Sequence, residues 1–207
     1  MELPLNMSYF AYDPKDLPSN DRMIADAKDM VRRLTVLRDA PVVDPYTGPA
    51  ILSGPASGVF FHEIFGHRIE GHRLKGGGET FKKKVGELVL PADFQVYCDP
   101  TLRSYAGEEL NGFYLYDDQG VKARRVDVVK DGVLREFLMS RVPLDGFPRS
   151  NGHGRTAGGG DPVSRQSNLV VETTAPHSEA ELRSMLIEEA KKQGKEYGYY
   201  FKEVTSG

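Results

Sequence analysis

Apolar residues recur at helical spacing along residues 19–37. The apolar positions are Met23, Ala27, Met30, Val31 and Leu34. Positions three and four apart lie on one face of an α-helix, and Ser19 or Asn20 can accept a free backbone N–H at its start. The spacing therefore predicts an amphipathic helix within an N-terminal segment of residues 1–45.

A second segment with helical spacing covers residues 178–194. Ser178 and Glu181 have the spacing of a capping box, and Gly194 is a residue that ends helices. The predicted inner face consists of Leu182, Met185, Leu186 and Ala190. The pattern predicts a second amphipathic helix near the end of the chain.

Alternating apolar and polar residues predict strands over much of the remaining chain. The predicted strand segments are residues 50–54, 87–97, 113–140, 163–174 and 196–207. Within segment 113–140, Asp117 to Gly120 predict one turn and Asp131-Gly132 is a two-residue hairpin signal, so the strands around these turns should pair antiparallel as a β-meander. The chain is therefore predicted to have an α+β fold. We expect a largely antiparallel β-sheet with two to three flanking helices, one of which carries the sequence HEIFGH.

The composition narrows the classes of partner. The chain has 207 residues, of which 39% are hydrophobic and 28% charged, and its net charge is −3. Interspersed charges without a basic patch argue against nucleic acid, and no apolar run reaches the roughly 18 residues of a membrane span. The N-terminus lacks a signal-peptide pattern, and a single cysteine excludes an internal disulfide framework. We expect a cytoplasmic protein without nucleic-acid or membrane partners.

The sequence FFHEIFGHRIEGH, residues 60–72, concentrates histidines and glutamates in a short apolar run. Imidazoles bind zinc and a carboxylate can take a proton from water, so His62, Glu63 and His67 are the residue types of a hydrolytic zinc site. The two histidines are five apart, and positions five apart on a regular α-helix point about 140° apart. We therefore predict a π-type widening or a break between them, where Gly66 tolerates an irregular backbone.

Two other interpretations of this run stay open. Glu63, His67 and Glu70 are spaced four and three apart, and they would share one face of a regular helix as a carboxylate-rich metal site. Alternatively, the ionisable groups form a solvated helix face, while the phenylalanines and Ile64 are buried. The spacing alone does not decide between these interpretations and the zinc site.

Several stretches, in the same order, resemble the TldD/PmbA metallopeptidase family. They are GPAILSGPASGVFFHEIFGHRIEG, YAGEELNGFYLYDDQGVKARRVDVVKDGVLREFL and GGGDPVSRQSNLVVE. The resemblance covers about residues 20–207 and makes residues 46–207 a metallopeptidase core, part of the family's C-terminal domain. It implies that His62 and His67 hold one zinc ion. It also implies that Glu63 activates a zinc-bound water to hydrolyse unstructured peptides.

The resemblance further implies partners and a location. Members of this family bind extended peptides, assemble as homodimers or heterodimers and work in the cytoplasm. The intact H-E-x-x-x-H motif indicates the catalytic type of subunit. The alternative is a non-catalytic subunit that binds peptides or dimerises and has an incomplete metal site.

One ligand that the resemblance implies has no match in this chain. The family's third zinc ligand is a cysteine in a Gly-rich motif that would lie beyond residue 207, and Cys98 does not match that motif. We therefore expect an internal fragment with a two-histidine half-site, with Glu70 or His72 as auxiliary groups. Catalytic zinc normally has three protein ligands, so zinc should bind this half-site weakly or be absent.

Other polar residues are candidates for auxiliary or substrate contacts. His72 stands where the family often has Asp, and we expect it to be exposed beyond the helix. His153 lies in a Gly-rich loop, residues 147–162, and could contact a substrate, although loop mobility is the simpler interpretation. Arg165 and Asn168 lie about the centre of a predicted strand. A structural role in the sheet is their default and peptide contact the alternative.

Overall fold

The computed structural model describes residues 5–75, 81–156 and 158–204. The helices in these ranges are α1 (Asn20–Arg38), α2 (Gly54–Phe60) and α3 (Glu179–Lys192), with 3₁₀ turns at Pro14–Asp16, Gly66–Ile69 and Gly71–Lys75 and a π-helical turn at Phe61–Phe65. The strands are β1 (Ala50–Leu52), β2 (Phe94–Cys98), β3 (Ser104–Tyr105), β4 (Glu108–Glu109), β5 (Val126–Lys130), β6 (Val133–Leu134), β7 (Gly154–Arg155), β8 (Val163–Ser164), β9 (Leu169–Thr173) and β10 (Tyr199–Phe201). The α+β prediction is confirmed. None of the helices in the described part of the chain has the length and apolar character that crossing a bilayer requires.

The described residues form two compact units. One unit contains residues 5–56 and 179–204, and the other contains residues 57–178. The predicted division between residues 1–45 and 46–207 stays a prediction. The candidate metal ligands all belong to the second unit.

The first unit combines α1 and α3 with a parallel pair of strands. Its strands β1 and β10 pair with Ile51 opposite Tyr200. The predicted cap is confirmed, because the Ser19 side chain accepts the backbone N–H of Arg22 at 3.3 Å. Both predicted helices are present, but their apolar faces are only partly covered. No residue of α1 is fully buried, and of the predicted inner face of α3 only Ala190 is buried among the described residues.

The second unit is built on an antiparallel sheet. Within residues 57–178, the order of its strands is β6-β5-β2-β9, with β2 hydrogen-bonded to both β5 and β9. The predicted hairpin is confirmed, since Asp131 and Gly132 connect β5 to β6 with φ values of 53° and 72°. Two successive positive φ values are typical of a type I′ turn, whose twist matches that of the paired strands.

Several predicted strands are shorter than the alternating pattern indicated. In segment 87–97, β2 begins only at Phe94, because the carbonyl of Pro91 accepts the Phe94 N–H in a tight turn at 3.0 Å. In segment 113–140, the predicted turn at Asp117 to Gly120 is present, because the Asp117 carboxylate accepts the N–H groups of Gln119 and Val121, but β5 begins only at Val126. Segment 163–174 is divided into β8 and β9. Local turn hydrogen bonds, to the backbone at Pro91 and to the side chain of Asp117, therefore take the place of sheet hydrogen bonds at these two points.

The segment that carries the candidate ligands packs on this sheet. Phe65, Ile69 and Leu74 are buried in one apolar cluster together with residues of β2 and β5. The backbone is also fixed, because the Leu138 N–H donates to the Ile69 carbonyl and the Gly71 N–H donates to the Leu138 carbonyl, both at 2.9 Å. The sheet thus sets the position of residues 65–74.

Candidate metal centre

A π-helical turn separates the two histidines of the HEIFGH sequence. It covers Phe61–Phe65, and the N–H of Gly66 reaches the carbonyls of both Phe61 and His62. A 3₁₀ turn, Gly66–Ile69, follows directly. The predicted widening is confirmed, and the fully regular helix required by the Glu63–His67–Glu70 interpretation does not form.

The widened turn brings the side chains of His62, Glu63 and His67 together. The imidazole centroids of the two histidines are 4.8 Å apart, so the rings do not diverge as they would on a regular helix. Glu63 Oε2 lies 3.4 Å from His67 Nε2, and Glu63 Oε1 lies 3.9 Å from His62 Nε2. One potential ligand atom from each residue lies within 4.8 Å of the others, and this is the one such group of three among the described residues.

This donor set fits a transition-metal ion in part. Imidazole nitrogen and carboxylate oxygen are both zinc ligands, at distances of about 2.0–2.2 Å from the ion. His62 is exposed, while Glu63 and His67 are half-buried, so the group faces solvent on one side. Two imidazoles and one carboxylate could hold an ion, and the open side leaves room for a further ligand and for a substrate.

Glu70 supports His67 from behind the candidate centre. Its side chain is only 1% exposed, and its Oε2 accepts the Nε–H of Arg73 at 2.6 Å and lies 3.8 Å from Arg165 Nη1. The same oxygen lies 3.2 Å from His67 Nδ1. A buried carboxylate needs such partners, because an unpaired buried charge is costly. Glu70 therefore lies on the Nδ1 side of His67, whereas Glu63 lies on the Nε2 side.

The expectation that His72 is exposed is wrong. Its side chain is half-buried, and its Nδ1 atom is buried without a hydrogen-bond partner in the described structure. Burial lowers the pKa of this imidazole, with the Glu70 carboxylate acting in the opposite direction. The chain turns back toward the sheet after Glu70, which is why His72 does not extend into solvent.

The suggestion that His153 contacts substrate from a mobile loop is also wrong in this structure. His153 is 0% exposed. Its Nδ1 lies 3.3 Å from the Asn151 carbonyl and its Nε2 lies 3.2 Å from Ser167 Oγ. The glycines next to it belong to a closely packed connection between strands. Residue 157 of this loop lies outside the described residues. His153 is a structural, neutral histidine.

His153 should make stability depend on pH. Burial lowers the pKa of His153 from 6.5 to about 4, despite the opposing Asn151 carbonyl. As the pH falls below 6.5, the unfolded chain takes up this proton first, so its contribution to the free energy of unfolding falls until about pH 4. The slope from one such group is at most about 1.4 kcal/mol per pH unit. We expect urea denaturation of His153→Gln to show a smaller pH dependence than the parent chain over this range; an equal dependence would contradict this assignment.

Arg165 and Asn168 are both fixed by structural contacts. The Asn168 carboxamide is buried, and its Nδ2 donates to the carbonyls of Asp99 at 3.2 Å and Leu102 at 2.9 Å. Arg165 has a partly exposed side chain beside Glu70, at the edge of the candidate centre. These contacts agree with the default structural interpretation, and peptide contact by either residue stays a prediction.

Gln166 is the residue at the centre that the sequence pattern did not indicate. Its Nε2 donates to the His62 carbonyl at 3.3 Å and lies 3.5 Å from His67 Nδ1. It stands between Arg165 and Asn168, and no motif distinguishes it from an ordinary strand residue. Cys98, by contrast, is fully buried in the sheet, and burial raises the pKa of its thiol to about 12, so it is not a ligand of this centre.

Comparisons with known proteins identify relatives of this chain. The sequence profile of the PmbA/TldA metallopeptidase C-terminal domain matches residues 45–207. A metalloprotease of Archaeoglobus fulgidus is 33% identical over 123 residues, which are 59% of this chain and 28% of that protein. A metalloprotease of Methanocaldococcus jannaschii is 32% identical over 122 residues, 58% of this chain and 26% of that protein. The match thus spans about a quarter of the length of these relatives.

The fold also has a solved counterpart. The crystal structure of TldE from Thermococcus kodakarensis aligns with a TM-score of 0.56 and 22% identity, and the alignment covers 76% of this chain and 36% of that chain. At that level of identity the likeness shows the fold alone. The profile match over most of the chain shows more than the fold. This chain belongs to the TldD/PmbA metallopeptidase family, and its residues 45–207 match the C-terminal domain of that family.

Proposed function

We propose that this chain is the metal-binding core of a zinc-dependent peptidase that hydrolyses unstructured peptides. The observation that carries the proposal is the π-helical turn, which brings the candidate ligand atoms of His62, Glu63 and His67 within 4.8 Å of one another. The metalloproteases among the relatives support a metalloprotease-related function. In this proposal one zinc ion is held by His62 and His67.

Two glutamates of the chain have different roles in the proposed reaction. A bound zinc ion supplies the positive charge that polarises water and a peptide carbonyl at neutral pH. Glu63 is the general base: its carboxylate takes a proton from the attacking water and passes it to the departing amine. Its position beside both imidazoles, and its partly exposed side chain, suit that role. Glu70 holds the Nδ1 side of His67, as outer carboxylates do for metal-binding histidines.

A second candidate function is a non-catalytic subunit that binds peptides or dimerises. It is favoured by one feature of the described residues, which is that only two imidazoles converge at the centre. A catalytic zinc site normally has three protein ligands. Under the catalytic proposal the third ligand is a cysteine outside this chain. Assembly as a homodimer or heterodimer and a cytoplasmic location are further parts of the proposal.

Metal removal tests the proposed function. The full-length protein that carries this chain and the proposed third ligand should lose hydrolysis of an unstructured peptide when dialysed against a chelator, and it should recover activity with about one equivalent of zinc per chain. Elemental analysis measures the metal at each stage, and magnesium serves as the control ion. Hydrolysis that continues unchanged in metal-free protein would contradict the proposal. Peptide binding without hydrolysis, at any zinc content, would favour the non-catalytic subunit.

A further inference from the structure

Gly66 makes room for a side chain from a distant part of the second unit. Its φ of −58° and ψ of −45° are ordinary helical values, so the backbone here does not require glycine. A Cβ atom at this position would overlap the Oε1 and Cδ atoms of Gln166 and lie 2.7 Å from its Nε2. The missing side chain of Gly66 is thus replaced by the carboxamide of Gln166.

The same carboxamide contacts both candidate zinc ligands. Nε2 of Gln166 donates to the backbone carbonyl of His62, at 3.3 Å, and lies 3.5 Å from the Nδ1 atom of His67. The His62 carbonyl belongs to the π-helical turn, a geometry that is rare in helices and needs support from its surroundings. One side chain therefore contacts the backbone of the first histidine and the ring of the second.

Gln166 is held firmly by the elements on either side of it. Strand β8, which ends two residues earlier, pairs with β7, and Ser164 Oγ accepts the backbone N–H of Ser140 at 3.0 Å. The N–H of Arg165 donates to the carbonyl of the buried His153 at 2.9 Å. Gln166 itself is only 9% exposed. The backbone of Gln166 thus has a fixed position relative to the core, and its carboxamide is held through the contacts of Nε2.

The carboxamide oxygen of Gln166 does not help to stabilise the fold. Its Oε1 atom is buried and has no hydrogen-bond partner in the described structure. A buried polar atom without a partner lowers the stability of a fold. An apolar side chain of similar size would avoid that cost and still fill the space beside Gly66. The stability of the fold alone therefore does not account for a carboxamide at this position.

We propose that Gln166 is a positioning residue, which holds the π-helical turn in register so that His62 and His67 face one ion. The inference rests on the proposed function, because it takes these two histidines as zinc ligands. It assigns Gln166 no contact with the substrate. Its effect should appear in metal affinity, with little change in the stability of the metal-free fold.

The test compares Gln166→Met with the matched control Gln95→Met. Gln95 is a glutamine of the same unit, and its carboxamide binds Asp131 in the hairpin between β5 and β6. Zinc affinity is measured by competition with a chelator, and stability by urea denaturation of the metal-free protein. We expect Gln166→Met to bind zinc about 10–100-fold more weakly, the usual effect of losing an outer-shell contact. Its metal-free stability should be unchanged or higher. Gln95→Met should keep the parent's zinc affinity.

Two results would overturn the inference. One is zinc affinity in Gln166→Met within twofold of the parent, and the other is a loss of metal-free stability as large as the loss of zinc binding free energy. The absorption spectrum of bound Co²⁺ adds a direct measure, because altered histidine geometry changes it. His62→Ala and His67→Ala separate this inference from the proposed function. If these variants bind zinc like the parent, the proposed function fails; if they lose zinc and Gln166→Met does not, only the role of Gln166 fails.

Discussion

Replacing Glu63 with Gln should abolish most peptide hydrolysis while leaving zinc bound. Glutamine has the same shape but does not accept a proton at neutral pH, and losing a general base typically slows a reaction by about 10²–10⁴-fold. Since His62 and His67 are unchanged, zinc content should match that of the parent protein. The measurements are kcat/KM for an unstructured peptide and zinc by elemental analysis.

Glu87→Gln is the control for this experiment. Glu87 is an exposed residue of the same unit, paired with Lys84 at 2.6 Å, and its loss should leave hydrolysis unchanged. Full activity in Glu63→Gln would show that Glu63 is not the base. A loss of zinc together with activity would instead make Glu63 a metal ligand, and the proposed mechanism would need another base.

Replacing Gly66 with Ala should disrupt the centre through a steric conflict with Gln166. The new methyl group would overlap the carboxamide of the buried Gln166, which must shift to make room. Overpacking of this kind costs about 1–3 kcal/mol. Displacing the carboxamide would also remove its hydrogen bond to the His62 carbonyl. Zinc affinity should therefore fall about 10–100-fold, as it does when other outer-shell contacts are lost.

A double-mutant cycle with Gln166→Ala identifies the cause. Without the carboxamide, Gly66→Ala should be neutral or should stabilise the metal-free fold by up to about 1 kcal/mol, because alanine favours helical backbone more than glycine does. Gly58→Ala is the matched control in α2, where a Cβ meets no atom within 4 Å. Urea denaturation of each variant gives the free energies. Equal effects of Gly66→Ala with and without Gln166 would refute the steric explanation.

The predicted elements that agree best with the structure are those specified by residues close together in the sequence. The Ser19 cap, the Asp131-Gly132 hairpin and the helix of residues 179–192 depend on residues within one or two turns of each other. The lengths of strands were predicted less well. Backbone turns such as the one at Pro91 compete with sheet pairing, and the alternation of apolar and polar residues does not reveal this competition.

The candidate site was predictable in part for a similar reason. The five-residue spacing of His62 and His67 is itself a geometric statement: if both bind one ion, the helix between them must be distorted. The surroundings were not predictable. Neither the burial of Glu70 nor that of His153 follows from residue type, since glutamate is mostly exposed in folded proteins and histidine has no strong preference for the interior.

The sequence by itself determined which residues can bind a metal, how far apart they stand and that a regular helix could not bring them together. Only the tertiary structure decided what holds the distorted turn. Gln166 lies 104 residues away from His62 along the chain, and the two meet because the second unit packs the segment after β8 against the HEIFGH segment. Local spacing fixes the periodicity of a helix, whereas contacts between distant segments depend on how the whole core packs.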